Sequence, residues 1–323
     1  MDIFTKDELR QSVEAASGGK QTIFRTAKGA PSYFNVIPAF KLEDISPELG
    51  TGVHPAFLVG GIEKNEIFIG TYQAVIQDGE AVSLPDQDPC TSIDFNSSRA
   101  ACLAAGPGFH LMTNWEWAAL ALWCLKNGHG DLHGNTNNGK SHVNPKEVGR
   151  ISKYGRTFTG SGPDSWRHDG TPFGIADLVG NVWEWNDGLK LIDGKIIMPP
   201  DNNFTLPEAA WLEAGAVIDF PDGDIQISDV ITERDYDGCY FKDATVKDGY
   251  AAPIALKQAL LQPMNDMAAA GYYWADNTEG FEALPVRGGS WSYASNAGLA
   301  ALHLYYQRSH VVTNIGFRPA FIG

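Results

Sequence analysis

An α+β fold with long irregular loops is what the sequence predicts, on three observations. Two segments, 97–105 and 113–126, carry helix signals, the second opening on a capping box of Thr113 with Glu116. Several short runs alternate apolar and polar residues, as strands do. Between them lie stretches rich in Gly, Asn, Ser and His, which favour turns and loops.

Taken in order, residues 5–17 read as a short helix. Thr5 and Glu8 form a capping box there, and Gly18-Gly19 end it. The run 21–39 reads as a linker or as strands. Residues 1–39 are therefore expected to be an N-terminal helix and linker, and 40–323 a single domain. Ala56-Phe57-Leu58-Val59 and Ile67-Phe68-Ile69 are strand-like, with breaks at Gly60-Gly61 and Lys64-Asn65. Residues 97–105 are Ala-rich and stop at Gly106-Pro107-Gly108. In 113–126, Trp117, Leu120, Ala121 and Cys124 share one helical face and are assigned to the core. Residues 127–169 read as loop. Asp193-Gly194, between Lys190-Leu191-Ile192 and Lys195-Ile196-Ile197-Met198, signals a hairpin with a type I′ turn. Residues 199–283 read as an insertion on the domain surface, with a helix near 253–261.

The chain has 323 residues and a formal net charge of -15, with 43% hydrophobic and 20% charged residues. A surface that acidic repels phosphate backbones and anionic lipid, so nucleic-acid and membrane-surface partners are not expected, and no stretch is long and apolar enough for membrane insertion. The first residues show no basic region followed by an apolar run, so no secretory signal is expected. Cys90, Cys102, Cys124 and Cys239 form no CxxC pair and read as reduced or buried thiols. His129 and His133 stand four apart but among glycines, which disfavour the helix a zinc site at that spacing needs. No GxSxG, HExxH or P-loop occurs.

Three blocks carry a family resemblance. The run 174–185, GIADLVGNVWEW, is similar to a signature of the formylglycine-generating enzyme superfamily, a branch of the C-type lectin fold. The run 109–119, FHLMTNWEWAA, resembles that family's helix start. At the C-terminal end, Arg287-Gly288-Gly289-Ser290-Trp291 and Asn314-Ile315-Gly316-Phe317-Arg318 resemble its closing flanks. The resemblance implies a C-type lectin-like fold with long loops and an insertion. Within the superfamily, the chain resembles the variable proteins of diversity-generating retroelements. In those proteins adenine-directed mutagenesis rewrites a C-terminal segment, here 287–321. Between the flanks there is no Lys, Glu, Asp, Met or Cys.

What the resemblance implies about function follows. The expected activity is noncatalytic ligand or receptor binding. Its site would be Ser292, Tyr293, Ala294, Ala300, His303, Tyr305, Tyr306, His310, Val311, Val312 and Thr313. Tyr293, His303, Tyr305, Tyr306 and His310 are expected to be exposed, over a buried layer of Trp291, Leu302, Leu304, Ile315 and Phe317. The target would be a protein or glycan on a cell surface, and the protein a tail-associated part of a phage virion. A structural calcium is implied, held by the Asp177 and Glu184 side chains and the Gly180 and Val182 carbonyls. The alternative is an ion-free pairing of Glu184 with Arg287 or Arg318. Copper is not expected, because no cysteine follows Cys239. The competing readings are an enzyme of the superfamily with altered chemistry and a structural virion protein.

Overall fold

The computed structural model describes residues 7–323. Its helices are α1 (Glu8–Ser17), α2 (Phe95–Ala104) and α3 (Asn114–Lys126). In chain order the strands used below start with β1 (Gln21–Arg25), β2 (Pro31–Pro38), β3 (Glu66–Gly70), β4 (Phe109–Leu111) and β5 (Trp183–Trp185). They continue with β6 (Lys190–Ile192), β7 (Lys195–Met198), β8 (Leu212–Asp219), β9 (Gln226–Ser228), β10 (Tyr236–Tyr240) and β11 (Thr245–Val246). The last are β12 (Tyr272–Asp276), β13 (Glu282–Gly288), β14 (Gly298–Tyr306), β15 (Ile315–Phe317) and β16 (Pro319–Phe321).

The α+β class is the one observed. Five strands form a sheet in the order β1-β2-β3-β16-β4, so the N-terminal hairpin and the last strand share one sheet. The strand reading of 21–39 therefore holds, and no linker separates it from the rest. Asp7 caps α1 by accepting the Arg10 N–H at 3.2 Å, and Gly18, in the left-handed region, ends it. Thr5, the capping residue expected from the sequence, lies outside the described residues.

The second sheet runs β10-β12-β14-β13-β6-β7-β8-β9-β11, with β5 bonded to both β13 and β15. Asp193 and Gly194 both have positive φ between β6 and β7, as the type I′ hairpin requires. The Thr113–Glu116 capping box opens α3. This helix is buried on all sides over residues 114–122, not on one face. Its indoles are fixed from two directions. Trp115 Nε1 donates to the Pro199 carbonyl at 3.1 Å, and Trp117 Nε1 to the Leu299 carbonyl at 2.8 Å.

Residues 199–283 are not a surface appendage. They supply β8 to β12, and Ile218, Phe220, Ile227, Leu256, Leu261 and Tyr273 join the same core cluster as Trp117 and Leu304. Burying each such side chain contributes about 1.5–3 kcal/mol, so the segment stabilises the domain. The short helix Ala255–Gln258 falls inside the expected one.

Candidate binding surface

The signature block and the C-terminal flanks meet at β5. Glu184 pairs with Gly316 on β15 and Arg287 on β13. Its carboxylate accepts two hydrogen bonds from Arg318, at 2.8 and 2.6 Å, and both side chains are fully buried. Arg318 also donates to the Gly70 and Ala176 carbonyls. The guanidinium fork thereby ties the end of the chain to the signature loop and to β3. The ion-pair alternative is thus the one the side chains adopt, through Arg318. Arg287 turns elsewhere, onto Asn114 Oδ1 and the Ala259 and Leu260 carbonyls.

The residues expected to bind calcium do not fit that ion as folded. Gln73 Nε2 donates to the Asp177 carbonyl at 3.1 Å, the Val182 carbonyl at 3.0 Å and Glu184 Oε1 at 3.0 Å. Its own Oε1 accepts from Asn181 Nδ2, which fixes the orientation of the amide. Three oxygens therefore converge on an N–H donor, and Glu184 also faces a guanidinium. Calcium needs six to eight oxygens and tolerates no donor among them. The Asp177 carboxyl accepts the Gly160 N–H at 2.7 Å, and burial raises its pKa. The Gly180 carbonyl makes none of these contacts with Gln73. Chelator is therefore expected to leave the melting temperature unchanged. Gln73→Leu should cost at least about 2 kcal/mol, because it strands buried acceptors, and added calcium should not restore it. Thermal melts with and without chelator and calcium read both.

Gly288 and Gly289 lead into the C-terminal segment with φ of 90° and 89°. A Cβ at Gly288 would lie 2.5 Å from the Leu178 carbonyl oxygen, and one at Gly289 2.4 Å from Ala297 Cβ. Only glycine lets the chain pass here, which sets the position of everything downstream.

The segment then runs through β14, held between β13 and β12. Trp291, Leu302, Leu304, Ile315 and Phe317 are buried, as the sequence indicates. Ser292, Ala294, Val311 and Thr313 are exposed, while Tyr293, Tyr305, Tyr306, His310 and Val312 are half-buried. Two expected contact residues are corrected. Ala300 is 0% exposed in the main core, and its N–H donates to the Ala270 carbonyl. His303 is 4% exposed, covered by Trp183, Trp274 and Tyr306 at centroid distances of 5.8, 4.7 and 4.9 Å. It points away from Leu302 and Leu304, as the alternation implies, but neighbouring rings bury that face.

Those rings identify residues that the sequence did not reveal. Tyr236 and Tyr240 on β10, and Tyr272 and Trp274 on β12, extend the aromatic surface beyond residues 287–321. Tyr236 stacks on Tyr305 at 4.2 Å, and Phe281 on Tyr305 at 6.2 Å. Tyr236 is 44% and Tyr240 40% exposed. Their Y-x-G-x-Y spacing puts both on one face of a strand, a signal legible once a strand is assigned there. Cavities of about 430 and 400 Å³ flank the surface, one beside Tyr240 and Ser295, the other beside Tyr305 and His310.

No catalytic constellation accompanies this surface among the described residues. No three His, Cys, Asp or Glu side chains come together to hold a metal there. All four cysteines are unpaired, and burial pushes the Cys90 and Cys239 thiols up to about 11. A concavity of about 550 Å³ lies between α3 and the N-terminal hairpin. It is lined by Trp123, His129, His168 and a Lys20–Asp169 ion pair, without a nucleophile beside a base.

Burial also predicts acid sensitivity. It lowers the pKa of His54 and His168 to about 4 and of His303 to about 3. Unfolded histidine titrates near 6.5, so below that pH the unfolded chain binds protons the native state refuses. The stability these rings contribute is full above about pH 6.5 and falls toward pH 4, by up to about 1.4 kcal/mol per unit for each ring. His110 opposes this. Burial disfavours its charge, but the Glu116 carboxylate 2.8 Å away raises its pKa overall. Its contribution is present at low pH and lost as pH rises. Urea unfolding between pH 7 and 4 is expected to show the net fall.

No family model matches the chain, and no curated protein is similar to it. Among solved structures it is similar to the Major Tropism Determinant P3c Variant, with 13% identity, a TM-score of 0.36, and 90% of this chain matched to 62% of that one. It is also similar to Treponema denticola variable protein 1, with 12% identity, a TM-score of 0.37, and coverage of 93% and 98%. PvdO from Pseudomonas aeruginosa matches at 12% identity and a TM-score of 0.38, with coverage of 93% and 97%. The chain thus spans less than two thirds of the tropism determinant and nearly all of the other two.

Proposed function

We propose that this is a noncatalytic binding protein whose C-terminal segment presents a changeable surface to a macromolecular target. One observation carries the reading. Residues 292–313 place aromatic and small side chains at the surface, while both ends of the segment are fixed in the core. Gly288-Gly289 and Arg287 fix one end, and the Arg318–Glu184 pair the other. A backbone held this way does not have to be ordered on binding, so new side chains can meet a new target at low entropic cost. Half-buried tyrosines suit such contacts, being large, stiff and amphipathic. The motif resemblance to retroelement variable proteins supports the same reading, and with it a place on a phage tail.

The test is a library randomised at Ser292, Ala294, Val311 and Thr313, all exposed. Most members should melt within a few degrees of the parent, since exposed substitutions rarely exceed about 0.5 kcal/mol. Their binding to a panel of bacterial surfaces should differ sharply. A library that unfolds widely, or whose members all bind alike, would refute the reading.

A further inference from the structure

The surface next to the variable segment has a fixed half, contributed by β10 and β12 from outside residues 287–321. We propose that this half selects partners presenting arginine, whose guanidinium stacks on the exposed face of Tyr236 and pairs with Asp276. The inference rests on the binding-surface reading above.

Three observations support it. Tyr236 is substantially exposed and packs against Tyr305 with planes 25° apart, offering a ring face to a cation. Asp276 lies opposite Tyr236 in the strand register and is 6% exposed. No ion pair neutralises it among the described residues. The bases nearby are engaged: Lys242 with Asp243, Arg308 with Glu208 and Glu282, and Arg234 with the Asn277 and Asp193 carbonyls. A guanidinium supplies several N–H donors in one plane, which lysine does not.

The third observation fixes the direction of approach. β10 is the last strand on its side of the sheet and would ordinarily invite a partner strand. Here the Asp235 and Asp237 carboxylates cap the Tyr236 and Gly238 N–H groups, and the Tyr272 hydroxyl donates to the Gly238 carbonyl. These engaged groups disfavour edge-to-edge addition, which leaves the aromatic face for the partner.

The full chain is titrated with a Gly-Arg repeat peptide and its citrulline counterpart, followed by tryptophan fluorescence and calorimetry. The arginine peptide should bind at least about tenfold tighter, with the difference shrinking at high salt. Asp276→Asn and Tyr236→Leu should each abolish the difference, with melting curves confirming that both fold. Equal binding of the two peptides, or a preference that survives both substitutions, overturns the proposal. Library members whose binding depends on 292–313 but ignores Tyr236→Leu would overturn it and leave the binding-surface reading standing. Binders indifferent to 292–313 would overturn both.

Discussion

Arg318→Met is expected to destabilise the protein by about 3–5 kcal/mol, the largest single-residue effect the structure predicts. The substitution leaves Glu184 as an uncompensated charge in a site with no solvent access. It also removes the donors to the Gly70 and Ala176 carbonyls, so three elements lose a shared partner. Gln73 still donates to Glu184, and that one neutral hydrogen bond cannot offset a buried carboxylate. The double variant Arg318→Met with Glu184→Gln should recover part of the loss, since it removes the stranded charge. Urea midpoints for the single and double variants give the coupling. Near-additive losses would mean that the pair is not the clasp described. Because the pair lies between β5 and β16, its loss should also loosen the segment between the flanks. Protection of amides in β14 against hydrogen exchange should therefore fall in step with global stability.

The sequence made legible those features whose physics is local. The capping box of α3 and the Asp193-Gly194 turn depend on a few adjacent residues, and both stand where their chemistry puts them. The alternation at Leu302-His303-Leu304-Tyr305 gave the side of the sheet correctly. It could not give exposure, because exposure depends on what else covers that side. Trp274 and Trp183 cover His303, and neither is near it in sequence. The same holds for Ala300, placed in the core by β12 and the Ala270 carbonyl. Glu184 has two candidate charge partners in the sequence, and strand register does not choose between them, since Arg287 lies opposite Glu184 on β13. The pairing falls to Arg318 because the Arg287 guanidinium is held by Asn114 and by the Ala259 and Leu260 carbonyls, which no local pattern shows. Residues 199–283 resemble no known block, and a segment without a recognisable motif reads as an appendage. Their apolar residues in fact complete the core, and their tyrosines complete the surface.

Replacing Tyr305 and Tyr306 together by Ala should separate folding from binding. Tyr305 rests on Tyr236 and Phe281 at the rim and contributes little to the core. Tyr306 is more deeply placed, with its ring edge-on to Trp185 and stacked on His303. The double variant should therefore fold but lose about 1–2 kcal/mol, more than exposure-based reasoning from the alternation alone allows. Binding to a target selected against the parent should weaken by about 2 kcal/mol or more, roughly thirtyfold, because aromatic anchors dominate such interfaces. Tyr305→Phe provides the control. It keeps the ring and its stack, so a loss confined to the alanine variant assigns the effect to contact area rather than to the hydroxyl. Isothermal titration sets the affinity, and urea unfolding sets the stability. A variant that binds as well as the parent would remove these tyrosines from the site. One that fails to fold would move them into the core, and the reading of 292–313 as a changeable surface would lose its central residues.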